Sequence, residues 1–164
     1  MIKHKVSMLG AFAVGKTSLV QRFVSGIFSE RYQTTIGVRI DKREVQVDGV
    51  DVLLMVWDLQ GEDDVHTVPL NHLRGSSAFF VVADGTRETT LDTALRLLDD
   101  AKQLLGDVPC LLLLNKADVT SDWQIREERI EDLRATGLRI VKTSAKTGSA
   151  VAEVFEELTR TLLG

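Results

Sequence analysis

Two periods of apolar residues follow one another along this chain. Short runs that are continuous or alternate every second residue predict strands at residues 3–9, 38–47, 50–57, 78–83, 110–114 and 138–141. Longer stretches with apolar residues every three to four positions predict helices over 16–25, 91–105, 127–136 and 151–163. The alternating segment 38–47 suits a half-exposed strand. Asp48-Gly49 after it marks a tight hairpin turn, so 50–57 should pair back antiparallel. The continuous runs 78–83 and 110–114 suit strands buried on both faces. Gly106 and Pro109 end the helix between them. Strands alternating with helices predict an α/β three-layer sandwich. Its six-stranded sheet is mostly parallel with one antiparallel strand, and right-handed crossovers place helices on both faces. No internal repeat, low-complexity tract or linker interrupts the pattern, so residues 1–164 read as one domain.

Composition narrows the possible partners more than the fold. The net charge of −4 predicts no broad basic face for nucleic acid or anionic lipid. No stretch has membrane-spanning length, and the C-terminal Thr-Leu-Leu-Gly has neither a cysteine for prenylation nor a polybasic tail. This predicts no direct membrane anchor in the chain, or a domain taken from a longer one. The single cysteine, Cys110, is expected to be a buried strand residue; with no internal disulfide possible, a reducing, cytoplasmic compartment fits.

The first strand runs into Gly10-Ala11-Phe12-Ala13-Val14-Gly15-Lys16-Thr17, a match to the phosphate-loop pattern G-x-x-x-x-G-K-[ST]. Gly10 and Gly15 let the backbone bend so that successive N–H groups, those of Ala13 and Val14 among them, converge on a polyphosphate. The helix that begins at Lys16, with Thr17 and Ser18 in its first turn, adds its positive dipole end. Lys16 neutralises phosphate charge, and the Thr17 hydroxyl is a ligand for Mg²⁺. A glycine turn followed by an exposed lysine is the plain alternative, and strand before and helix after argue against it.

The base is read further along. The run ending at Leu114 leads into Asn115-Lys116-Ala117-Asp118. An aspartate here can accept from guanine N1–H and the 2-amino group, a donor pair adenine does not offer. Asn115 can bond the base and tie this loop to the phosphate loop, while the Lys116 stem lies along the purine. Alone, the motif is also an ordinary turn. Thr143-Ser144-Ala145-Lys146 follows the last strand; its backbone N–H groups can meet guanine O6, with Lys146 against the ring, though small residues of this kind are also common in loops. An aspartate closing an apolar strand at Asp58 suits an acidic residue that holds Mg²⁺.

With these motifs in this order the chain resembles the Ras superfamily of small GTPases, its Rab-like branch in particular, over essentially its whole length. The resemblance implies a phosphate-loop NTPase fold, bound GTP or GDP with Mg²⁺, and hydrolysis of GTP to GDP and phosphate. Thr35, in Thr35-Ile36-Gly37, is implied as a Mg²⁺ ligand touching the γ-phosphate, and Phe28 as the aromatic covering guanine edge-on. In the second switch, Trp57-Asp58-Leu59-Gln60-Gly61, the family pattern implies Asp58 holding Mg²⁺ through water and the Gly61 N–H sensing the γ-phosphate. Leu73-Arg74-Gly75 resembles the segment that closes this switch. Effectors, exchange factors and activating proteins are implied partners through the switch segments.

The chain departs from that family at two places. Glu62 stands where the family has the glutamine that orients water, and Gln60 lies before the glycine instead. Ionised, Glu62 accepts from water but cannot donate to a γ-phosphate, and its charge repels one. Asp63 and Asp64 deepen the acidity. Phe12 and Ala13 replace small, often glycine, residues in the phosphate loop, and a phenylalanine that crowds the phosphate leaves little room for a partner's arginine. Slow or altered hydrolysis is therefore expected, with Lys16, Thr35, Gly61 and Glu62 as its residues. A scaffold that binds guanine nucleotide without hydrolysing it is the alternative. A phosphate-loop kinase would leave Asn115–Asp118 without a role.

Other residues read as structural. Arg31 reads as a solvated arginine, His66 and His72 as surface or packing residues flanking Pro69 in a second-switch helix, and 126–134 as a solvated helix face. Trp123 reads as a packed helix-start residue, with an interface anchor as the other reading.

Overall fold

Both periods of the sequence turn into one sheet with helices on either side. Among the described residues of this computed structural model (1–25, 38–63 and 67–164), six strands form: β1 (Ile2–Gly10), β2 (Val38–Val47), β3 (Val50–Leu59), β4 (Ala78–Asp84), β5 (Cys110–Asn115) and β6 (Ile140–Lys142). Four α-helices join them: α1 (Lys16–Ser25), α2 (Thr89–Leu105), α3 (Glu127–Ala135) and α4 (Val151–Leu163). The sheet order is β2-β3-β1-β4-β5-β6, parallel except for the β2–β3 hairpin. Val47 pairs with Val50 around Asp48 and Gly49, both at positive φ (50° and 79°), the backbone a two-residue hairpin needs to follow the strand twist.

Period two decides which face each strand residue serves. In β4, Ala78, Phe80 and Val82 face α1 and α4, while Phe79, Val81 and Ala83 face α2 and α3, and all are buried. Strand β4 has a sheet neighbour on each side and helices on each face, so no position in it is polar until Asp84. Helix α4 meets its face through Val151, Val154, Phe155 and Leu158, at helical spacing. Phe155 stacks on Phe23 of α1 with ring centroids 3.8 Å apart and meets Phe80 edge-on at 4.9 Å. Truncating it would cost about 3–5 kcal/mol. On the other face α2 packs Leu91, Ala94, Leu97, Leu98 and Ala101, and stops at Gly106, φ +78°, whose N–H returns to the Lys102 carbonyl at 2.9 Å.

The hairpin edge is built differently. Among the described residues β2 has one strand neighbour, and Arg39, Asp41, Lys42, Arg43 and Glu44 line it, a charged edge that discourages pairing with another chain.

Four expectations are corrected. The last strand lies two residues later than 138–141 at its start, because it pairs with Leu112 to Leu114 and so carries Thr143 to the sheet's carboxyl edge. Helix α2 begins at Thr89, ahead of Leu91, because the Thr90 hydroxyl accepts from the Asp84 N–H at 2.8 Å and donates to the Arg87 carbonyl at 2.6 Å. Cys110 is half-buried at the start of β5; even that burial pushes its thiol up from the ordinary value. Among described residues the second-switch helix is only a 3₁₀ turn, Leu70–Leu73. It follows Pro69, whose carbonyl accepts from the His72 N–H at 2.9 Å. No helix among the described residues is long and apolar enough to cross a membrane.

Candidate functional site

The carboxyl ends of β1, β3, β4, β5 and β6 lie along one edge of the sheet, and the loops that follow them carry the sequence motifs. The phosphate-loop segment leaves β1 at Gly10. A Cβ there would lie 2.6 Å from the Val82 carbonyl oxygen, so β4 passes too close for any other residue. Ala13 (φ 65°) and Gly15 (φ 99°) turn the chain back into α1.

Every carbonyl on this turn has a donor. The Gly10 carbonyl accepts from the Glu62 N–H at 3.1 Å, Ala11 from Lys16 Nζ at 3.5 Å, and Phe12 from Arg87 Nη2 at 2.8 Å. Ala13 accepts from Lys116 Nζ at 3.2 Å, Val14 from Asn115 Nδ2 at 2.9 Å, and Gly15 from the Leu19 N–H at 2.9 Å. In a trans peptide the N–H points opposite its own C=O. With the carbonyls of Phe12 to Gly15 turned toward their donors, the N–H groups of Ala13, Val14, Gly15 and Lys16 point to the opposite, concave side. This is an anion nest at a helix N-terminus.

Asn115 is the hub of three loops. Besides its bond to Val14, its Oδ1 accepts from Thr143 Oγ1 at 3.2 Å and the Ala145 N–H at 3.3 Å. A Cβ on Gly15 would sit 2.3 Å from Asn115 Nδ2, so this glycine is needed both for its φ and for the asparagine. Asp118 accepts from the Ser144 hydroxyl at 2.7 Å, joining the same two loops again. Ala145 is buried and Lys146 exposed beyond it. The expected tie between the Asn115 loop and the phosphate loop is present.

A second hub was not legible in the sequence. Asp84, closing β4, is buried and accepts from Lys116 Nζ at 2.8 Å, Thr86 Oγ1 at 2.7 Å and Arg87 Nε at 3.1 Å. Burial alone would raise its carboxyl, but the hydrogen bonds from Lys116, Thr86 and Arg87 outweigh that and hold it below the ordinary value. Lys116 and Arg87 each continue to a phosphate-loop carbonyl, so Asp84 fixes the outer wall of the nest. An aspartate closing a fully apolar strand, just as Asp58 closes β3, is the sequence signal for it.

At the centre Lys16 is buried, and this burial lowers its ammonium from the ordinary value against the opposing pull of Asp58. The Thr17 hydroxyl donates to Asp58 Oδ2 at 2.5 Å. The segment after β3 lies directly on the phosphate loop: Ala11 and Glu62 form a parallel bridge, and the Phe12 N–H donates to the Glu62 carbonyl at 2.7 Å. A Cβ on Gly61 would stand 2.8 Å from Phe12 Cα and 3.0 Å from Lys16 Nζ. The Glu62 carboxylate itself pairs with Arg96 on α2. Ser18 sits in the first turn of α1.

Phe28, Arg31, Thr35, Asp64 and His66 lie outside the described residues. His72 packs its ring edge on Trp57, with centroids 6.3 Å apart. Trp123 is packed too: its Nε1 donates to the Ile125 carbonyl at 2.8 Å, and its ring fills the space beside Gly85. The 126–134 face is exposed apart from Ile130 and the half-buried Arg129 and Leu133; Arg129 pairs with Glu88 and Asp92.

The Ras family model matches residues 5–164. Ras-related protein Rab-4 of Dictyostelium discoideum is 34% identical over 97% of this chain and 78% of its own. Ras-related protein Rab-13 of Canis lupus familiaris is 33% identical, over 97% and 79%. Ras-related protein Rab-8B of Homo sapiens is 30% identical, over 97% and 78%. Together with the sheet and the motif loops at its carboxyl edge, these matches show that the chain belongs to the Ras family of small GTP-binding switch proteins, on its Rab-like side.

Proposed function

We propose that residues 1–164 form a single G domain that binds GTP or GDP with Mg²⁺ and hydrolyses GTP slowly, its output a change in affinity for other proteins. The observation that carries this reading is Asn115, one buried side chain bonded to the phosphate loop and, through Thr143 and Ala145, to the loop after β6. Such a joint makes base recognition and phosphate binding one rigid unit.

In this reading the N–H groups of Ala13, Val14, Gly15 and Lys16 hold the β-phosphate, with Thr17 and Ser18 beside the α-phosphate. Lys16 supplies the positive charge, and its burial strengthens its attraction to a polyphosphate. Asp118 accepts from guanine N1–H and the 2-amino group, trading its Ser144 bond for them, and the Lys146 backbone N–H faces O6. Lys116 covers the ring. An ATP competitor leaves Asp118 without donors and is rejected.

The hydroxyl of Thr17 beside the carboxylate of Asp58 is a hard oxygen set of the kind Mg²⁺ takes when phosphate and water complete its shell. Among the described residues no group of three or more His, Cys, Asp or Glu competes as a metal cluster. Bound there, Mg²⁺ would offset phosphate charge, with Thr35 as a further ligand. Gly61 is kept small by Phe12 and Lys16, and its N–H would read the γ-phosphate. Slow hydrolysis follows from two features: Glu62 cannot donate to the γ-phosphate and is engaged by Arg96, and Phe12 stands in the phosphate loop. Exchange factors, effectors and activating proteins would act through the switch segments, in a cytoplasmic setting.

Single-turnover incubation with GTP and Mg²⁺ tests the reading. The expected result is bound GTP converted more slowly than about 10⁻⁴ s⁻¹, below an ordinary small GTPase, and faster conversion in Phe12→Gly/Glu62→Gln. An ordinary rate in the unaltered protein would remove the slow-hydrolysis part. Bound GTP that never converts favours a non-hydrolysing scaffold, for which the engagement of Glu62 speaks.

A further inference from the structure

Glu62 is bound to the phosphate loop by its backbone and to α2 by its side chain. Its N–H and C=O bridge to Gly10 and Phe12, which fixes its Cα beside the turn that ends at Lys16. Its neighbour Gly61 is so close to Lys16 that a Cβ there would lie 3.0 Å from Nζ. From that anchor the side chain has two directions. One leads to the space in front of Lys16, where a terminal phosphate would stand; the other leads to α2. The carboxylate takes the second and pairs with Arg96, which also holds Asp100 at 3.3 Å one turn along the helix.

We infer that Arg96 is a positioning residue that holds the Glu62 carboxylate away from the γ-phosphate position, and so sets how strongly the site prefers a nucleoside triphosphate over a diphosphate. The inference rests on the nucleotide reading above. A carboxylate beside a terminal phosphate repels it, and a diphosphate has no group there to repel. Without the Arg96 partner the side chain is released to both directions, and the penalty falls on the triphosphate alone. The pair is partly open to water, with the Arg96 side chain 51% exposed and that of Glu62 18%, so its effect is graded rather than all-or-none.

The test compares binding of a non-hydrolysable GTP analogue and of GDP, each with Mg²⁺, to the intact chain and to Arg96→Ala, Glu62→Gln and the double variant. Arg96→Ala should bind GDP as before and lose about three- to tenfold in affinity for the analogue. On the Glu62→Gln background the same change should have no effect, and Arg96→Lys should restore part of the preference. Equal loss for both nucleotides, no loss for either, or the same analogue-specific loss on both backgrounds would overturn the inference. If Arg96→Ala fails to fold, Arg96→Gln removes the same charge and the same expected and opposing results apply to it. An unaltered chain that binds neither nucleotide would instead overturn the nucleotide reading itself.

Discussion

The two sides of the site are held by different means. On the base side, Asn115 and Asp84 are buried hubs: Asn115 is tied to the phosphate loop and to the 143–145 loop, and Asp84 holds Lys116 and Arg87, whose own side chains stay partly exposed. On the switch side, the contacts seen among the described residues after β3 include a short backbone bridge and a partly exposed ion pair. A buried polar group that loses its partner bears the whole desolvation cost, whereas an exposed pair that breaks is rehydrated. The base side is therefore built to stay in one arrangement. The switch side is built from contacts weak enough to exchange when a nucleotide or partner changes.

Breaking the base side should have the largest effect. Asn115→Ala strands the Val14 carbonyl, the Thr143 hydroxyl and the Ala145 N–H in the interior. Unfolding stability should fall by about 3 kcal/mol and GTP affinity by about 100-fold, read by denaturant titration and nucleotide competition. Gly15→Ala meets the same joint from the other loop. At φ +99° and 2.3 Å from Asn115 Nδ2, the added methyl should cost about 1–3 kcal/mol and weaken the nucleotide in proportion.

Acid sharpens the comparison. Asp84 lies below its ordinary value of 3.8 in the folded chain, so the stability it adds is present above that pH and is lost as pH falls through the lower, folded value. The gap in unfolding free energy between the unaltered chain and Asp84→Asn should be widest near neutrality and shrink below pH 3.8. A gap that stays constant with pH would show that Asp84 acts through its shape alone. The smallest effect belongs to the switch side. Arg96→Ala should change unfolding stability by less than about 1 kcal/mol, and high salt should erase the difference, because both charges reach water.

Much of this was legible from residue order. The hairpin at Asp48-Gly49, the strand runs at 78–83 and 110–114, and the motif loops all depend on local chemistry: turn preferences, apolar period and the spacing of glycine and lysine. The tie from Asn115 to the phosphate loop was legible as well, because a side chain of that kind at a strand end has few places to go. Asp84, Arg87 and Arg96 were not. Arg87 and Arg96 are common charged residues in surface-like contexts, and Asp84 shows only as an aspartate closing an apolar strand. Only the sheet order, which sets β4 between β1 and β5, brings Asp84 against Lys116 and Arg87 against Phe12.

By itself, then, the sequence determined most of the strand and helix segments, that loops with the phosphate-loop and Asn115-Lys116-Ala117-Asp118 motifs follow the strands, and that Glu62 departs from the family pattern. These follow from periodicity and from residue chemistry at short range. Only the tertiary structure decided that every phosphate-loop carbonyl has a donor, and that the Glu62 side chain lies toward α2. The Lys16 and Leu19 donors lie 5 and 4 positions from their acceptors, but the Arg96, Arg87 and Lys116 contacts join residues 34 to 103 positions apart. Short-range preference cannot specify such contacts, which arise once packing has set the strands side by side.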